Sequence, residues 1–153
     1  MKNPKALAVS LLIPLTVGGL SGVLNMEAMK DYAGLDKPPL SPPGVVFPIV
    51  WGVLFLLMGI SCYLVAVSRS PKRRSALTLY GVQLAVNFVW PFLFFSLKAY
   101  LFALIWLLLL WVLVLLMILK FRRIKPAAGW LQLPYLLWLT FAAYLNLGVY
   151  LLN

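Results

Sequence analysis

Lys37-Pro-Pro-Leu-Ser-Pro-Pro-Gly44-Val-Val-Phe-Pro-Ile-Val-Trp51 is the stretch from which the fold of this chain can be read. Four prolines fall within Pro38–Pro43. Each removes a backbone donor and restricts the residue before it, so no helix can form there. Yet long apolar runs flank the stretch on both sides. A stiff, polar-edged segment therefore feeds into a membrane-length helix that carries Trp51 near its start. Two structures fit this pattern, a rigid lid over a pocket and a plain interfacial turn.

Composition places the chain in a membrane. It is 64% hydrophobic with a mean hydropathy of +1.01, whereas soluble domains are about 45–50% apolar. Only 10% of residues are charged, against about 25% in soluble proteins. The fold class is all-α, an integral membrane bundle of five transmembrane helices in a single domain, 1–153. Crossing a bilayer takes about 20 mostly apolar residues. Five segments meet this length: Ala6–Asn25, Val45–Ser68, Ser75–Ser96, Ala99–Phe121 and Ala127–Leu152. The first has basic residues before an apolar core, as a signal peptide does. It lacks a small-x-small cleavage site and four more spans follow, so it is read as a retained helix.

The net charge is +10, from 13 Lys plus Arg against 3 acids. Such a charge can mark a nucleic-acid binder. Here the basic residues cluster in short connections between apolar runs, which is a topology signal, and no nucleic-acid partner is expected. Lys2, Lys5, Arg69, Lys72, Arg73, Arg74, Lys120, Arg122, Arg123 and Lys125 fall on one side, and Lys30, Lys37 and Lys98 on the other. This asymmetry puts the N-terminus in the cytoplasm and the 26–44 connection outside. That connection is the long one. It holds all three acids, Glu27, Asp31 and Asp36, and its proline density favours an ordered cap.

Small residues mark close helix contacts. Gly18 and Gly22 form a GxxxG pair, read as packing within the bundle. Gly81 and Ala85 form a second pair in the third helix that could serve a homodimer.

Polar and aromatic side chains recur at helical spacing in three helices. Tyr80, Gln83, Asn87 and Trp90 occupy one stripe of the third, about 80° wide at 100° per residue. Tyr135, Trp138, Ala142 and Asn146 share one face of the fifth. Trp51, Phe55, Met58 and Cys62 do so in the second. Amides within a span face the bundle interior, because exposing them to lipid is costly. These faces therefore either bridge helices or converge on a pocket. A pocket so lined would offer flat aromatic surfaces and a few neutral hydrogen-bonding groups, which suits a planar apolar ligand.

Several chemistries lack residues to carry them. Without histidine the chain has neither the commonest metal ligand nor the commonest general base. No His, Cys and carboxylate cluster suggests a metal, and no cofactor is expected. No span carries an acid for a proton relay. No nucleophile–base pair is visible. If a porphyrin binds, no histidine can ligate its iron, and stacking and shape would have to hold it, with Lys or Arg at the rim for its carboxylates. Cys62 lies in an apolar run and reads as an inert buried thiol. Leu57, Tyr63 and Arg69 meet a sterol-contact pattern so loose that it arises by chance.

The chain resembles the TspO/MBR family of tryptophan-rich sensory proteins and translocator proteins, the peripheral benzodiazepine receptor family. The matching residues begin with Lys37-Pro-Pro-Leu-Ser-Pro-Pro-Gly44, Phe47-Pro48 and Trp51. They continue with Ala76-Leu77, Tyr80, Gln83, Asn87 and Trp90-Pro-Phe-Leu-Phe-Phe95. Leu133-Pro134-Tyr135, Trp138, Phe141-Ala142, Leu145-Asn146 and Leu152-Asn153 complete the match. The resemblance implies a five-helix bundle, often a homodimer, whose pocket is closed by the first loop. It implies binding of protoporphyrin IX and of flat synthetic ligands, with a role in tetrapyrrole regulation or stress responses. By the same match Tyr32, Pro42, Trp51, Phe55, Asn87, Trp90, Trp138, Ala142, Leu145 and Asn146 would line the site. Animal members carry a cholesterol motif that ends in a basic residue. Here Tyr150 is followed by Leu151, Leu152 and Asn153, which speaks against sterol binding and fits a bacterial member in the cell membrane.

Three functions follow as expectations. The first is a membrane receptor or carrier for porphyrin-type ligands. The second is light-dependent porphyrin degradation, with Trp51 and Trp138 as redox-active indoles and candidate catalytic residues. The third is a structural or regulatory membrane protein whose pocket is incidental.

Overall fold

A computed structural model describes residues 3–153. Among them there are helices and turns but no strand. The first helix, α1 (Pro4–Leu24), begins two residues before the expected Ala6. The Asn3 side chain caps it by accepting from the Ala6 N–H at 3.1 Å, and Pro4 stands where a helix needs no donor. A short helix α2 (Met26–Met29) and a 3₁₀ turn (Lys30–Gly34) follow, so half of the lid connection is itself helical. Next come α3 (Val46–Ala66) and α4 (Arg73–Pro91), and α4 continues as a π turn over Phe92–Ser96. Pro91 has no N–H to offer the carbonyl one turn back, and the wider turn begins directly after it. The helix α5 (Tyr100–Ile124) leads into a short α6 (Pro126–Trp130) and then α7 (Leu133–Leu152). The expected fifth span is thus interrupted at Leu131–Gln132. Five helical stretches are long and apolar enough to cross a membrane.

The helices close into a ring with one loose seam. α1 packs on α3 and on α4, α4 on α5, and α5 on α7. Between α7 and α3 the backbones stay apart, and aromatic side chains bridge the space. The tight contact is α1 on α3. A Cβ at Gly59 would lie 2.8 Å from Leu11 Cα, and one at Gly18 would overlap the Phe55 ring at 2.1 Å. Gly18 thus packs within the bundle, as its motif suggested, whereas a Cβ at Gly22 would meet nothing within 4 Å. Met58, Leu110, Met117, Phe121 and Tyr135 are essentially sealed in the centre.

Two ends can be told apart. At one lie the lid, the α4–α5 turn and Asn153, tied by Lys98 to Asp31 at 3.2 Å and by Ser96 to Asn25 at 2.5 Å. At the other, the Asn3 N–H donates to the Tyr63 hydroxyl at 3.1 Å, and Ser61 donates to the Ala128 carbonyl of α6. The basic connections Arg69–Arg74 and Arg122–Lys125 lie at this second end. Lys2, which the charge count includes, lies outside the described residues.

Candidate functional site

The seam between α3 and α7 forms a groove of about 480 Å³. Its walls include Ile49, Val53 and Leu54 from α3 and Leu137, Trp138 and Phe141 from α7. Trp138 sits here because α7 presents it three residues after the fully buried Tyr135, on the same stripe. Its Nε1 is buried and has no acceptor. A buried donor without a partner is costly, and Trp138 is the groove-lining residue that carries one.

Aromatic rings run from this groove to the lid. Trp138 meets Phe47 edge-on at 5.9 Å between centroids, and Phe47 meets Tyr32 at 5.8 Å. Tyr32 in turn contacts Phe94 and Phe95 of the π turn. Burial pushes the Tyr32 phenol above its usual range. On α3, Trp51 stacks on Phe55 at 5.5 Å and meets Tyr135 edge-on at 6.1 Å.

The amides form bridges between helices. Asn87 Nδ2 donates to the Tyr135 hydroxyl at 2.7 Å, and that hydroxyl donates to Gln83 Oε1 at 2.7 Å. Trp90 Nε1 donates to Asn146 Oδ1 at 3.2 Å, and Asn146 Nδ2 donates to the Tyr100 carbonyl at 2.9 Å. The ten residues expected at the site therefore fall into separate groups. Trp138 borders the seam groove. Trp51, Phe55 and the half-buried Ala142 pack in the central core. Asn87, Trp90 and Asn146 are committed to bonds across the bundle, and Leu145 is buried on α7. Tyr32 and Pro42 line a second cleft, of about 470 Å³, between the two arms of the lid.

The lid is fastened to α7 along its length. The Asn153 side chain accepts from the Asp36 N–H at 3.1 Å and donates to the Asp36 carbonyl at 2.8 Å. Tyr144 donates to the Pro39 carbonyl at 2.6 Å. Pro38 is buried against Gly148, where a Cβ would come within 2.3 Å of its ring. Leu40, at φ 72°, makes the sharp reversal between the two proline pairs. Phe47, Tyr144, Gly148 and Asn153 were not among the expected site residues. Phe47 and Asn153 do stand in the motifs that carry the resemblance, but nothing local in the sequence pairs Asn153 with Asp36.

These features define a class: a multi-pass helical membrane protein with a fastened proline-rich lid beside an aromatic-lined seam. The family model for TspO/MBR matches residues 10–152, and the chain belongs to that family. It is 36% identical to the tryptophan-rich protein TspO of Chlorobaculum tepidum, over 99% of this chain and 98% of that one. It is also 36% identical to the translocator protein of Ovis aries, over 95% and 89%. The human translocator protein is 38% identical over 85% and 79%.

Proposed function

We propose that this protein is a membrane receptor or carrier for porphyrin-type and similar flat apolar ligands, linked to tetrapyrrole regulation or stress response. The observation that carries the reading is Trp138 Nε1. It is a buried donor without an acceptor, at the wall of an apolar groove of ligand size. A planar ligand would lie against Trp138 and Phe47, with Trp51 and Phe55 behind them. The ligand would enter through the seam or under the lid, and the site would extend along the residues named from the sequence. The chain acts as one membrane domain, with its N-terminus in the cytoplasm and its lid outside, in a bacterial cell membrane. The exposed Gly81 and Ala85 face of α4 suits a homodimer, because a Cβ at Gly81 meets nothing within the protomer.

Titration with protoporphyrin IX tests this through quenching of tryptophan fluorescence. Saturable quenching is expected. Trp138→Phe keeps most of the ring surface but removes the donor, so affinity falls roughly three- to tenfold, the worth of one hydrogen bond. Its melting temperature without ligand stays the same or rises, because an unpaired buried group is gone. Unchanged affinity in this variant defeats the site assignment. Absence of saturable quenching in the wild type defeats the ligand class.

A further inference from the structure

The lid carries its own cleft, bounded by Lys30, Tyr32, Lys37, Ser41 and Pro42. Three cations stand at this end of the molecule, and two of them are matched. Lys30 pairs with Glu27 at 3.1 Å, and Lys98 pairs with Asp31 at 3.2 Å. Lys37 pairs with no carboxylate among the described residues. Its position is nonetheless fixed. The ammonium lies 5.0 Å from the centre of the Tyr32 ring and donates one hydrogen bond to the Ala33 carbonyl at 3.2 Å. An ammonium has three donors, so two remain free for an acceptor in the cleft. The Ser41 hydroxyl donates to the Pro38 carbonyl at 2.8 Å and keeps its lone pairs, so the donors aimed at a ligand are those of Lys37.

The cleft and the seam groove have no lining residue in common, but a row of aromatic rings links them. Phe47 lies between Trp138 and Tyr32, at 5.9 and 5.8 Å, and Tyr32 is the ring beneath Lys37. A molecule lying along these rings from the groove would bring its far edge to the lid cleft. We propose that the lid cleft is the acid-recognition site of the ligand pocket, where Lys37 pairs with a carboxylate at the edge of a flat apolar ligand. This rests on the proposed ligand class, and it narrows that class to planar acids. The lid then contributes charge selection in addition to closure. A carboxylate bound there sits at the membrane–water boundary, where its ionised form needs little desolvation, while the apolar plane stays between the helices.

The test crosses two ligands with one substitution, in nanodiscs of zwitterionic phosphatidylcholine. The ligands are protoporphyrin IX and its dimethyl ester, which keeps the plane and removes both acids. Lys37→Met keeps the aliphatic stem over Tyr32 and removes the charge. The acid is expected to bind wild type about tenfold more tightly than the Met variant, the scale of one charge-assisted hydrogen bond. The ester is expected to bind both proteins alike, and Lys37→Arg is expected to restore binding of the acid. If Lys37→Met weakens acid and ester equally, the lysine only holds the lid in shape and the inference is overturned. Equal binding of the acid to both proteins overturns it as well. If the difference appears in phosphatidylcholine but vanishes on adding phosphatidylglycerol, the site prefers a lipid headgroup anion and the carboxylate assignment falls. If neither porphyrin binds the wild type, the broader ligand reading fails, which is a separate outcome.

Discussion

Tyr135 and Trp138 lie on the same stripe of α7, yet their polar atoms meet opposite fates. The Tyr135 hydroxyl accepts from Asn87 and donates to Gln83, and the residue is 1% exposed. Tyr135→Phe would leave the Gln83 oxygen and the Asn87 amide facing a hydrocarbon edge. Breaking such a bridge costs about 1–3 kcal/mol per group left unpaired. A clear fall in melting temperature in detergent is therefore expected for Tyr135→Phe, and none for Trp138→Phe. Equal melting temperatures for Tyr135→Phe and wild type would show that Asn87 and Gln83 find other partners. The sequence reveals both side chains as inward-facing, because period and polarity alone decide that. It does not reveal which atom finds a partner, because that depends on the opposite helix to within an ångström. Asn87 and Asn146 illustrate the same limit. Their inward direction follows from the price of exposing an amide to lipid, whereas their pairing with Tyr135 and Trp90 follows from how α4 and α7 meet.

At the scale of elements, the lid and α7 behave as one unit. Prolines make the 38–43 stretch stiff, but stiffness does not hold it in place. Its hold comes from Asn153, Tyr144 and the close fit of Pro38 against Gly148. Asn153 mimics a strand neighbour, accepting from and donating to the backbone of one residue. Asn153→Ala removes both bonds, each worth roughly 0.5–1.5 kcal/mol. The expected result is about tenfold faster amide exchange over Leu35–Ser41. Ligand association and dissociation should both speed up, with a smaller change in affinity. Slower association in the variant would mean that ligand enters through the α3–α7 seam and needs the lid in place. The stiffness of the lid was legible from four prolines. Its fastening was not, since Asp36 and Asn153 are 117 residues apart in sequence. The break before α7 also escaped the hydropathy pattern, because Pro126–Trp130 carries no charge and runs directly into the apolar Leu133–Leu152. Both the lid arm over Met26–Gly34 and the π turn after Pro91 are short helical pieces, which period-based reading cannot separate from loop or from helix.

For the whole molecule, charge decides orientation and packing decides access. All three acids and the cations Lys30, Lys37 and Lys98 occupy the lid end. The connections Arg69–Arg74 and Arg122–Lys125 occupy the other end. Membrane insertion retains basic connections on the cytoplasmic side, so in the proposed orientation the lid cleft faces outward and a charged ligand would meet Lys37 from outside the cell. Cysteine labelling in intact cells checks this directly. Cys62 is the only native thiol, and it is buried, so it provides a quiet background. Leu40 is 83% exposed at the tip of the lid, and Lys72 is exposed in a basic connection. A membrane-impermeant maleimide is expected to label Leu40→Cys in intact cells and Lys72→Cys only after permeabilisation. The reverse pattern would place the lid cleft in the cytoplasm. Acidic ligand would then have to be drawn from the cell interior, and binding in inside-out vesicles rather than intact cells would show the Lys37 dependence. The seam gives the same experiment a second use. A ligand that partitions into lipid can reach the α3–α7 groove from the bilayer, whereas its carboxylate has to seat in the lid cleft, below the tip that Leu40 forms. Labelling Leu40→Cys with a bulky maleimide should therefore slow binding of protoporphyrin IX more than binding of its dimethyl ester.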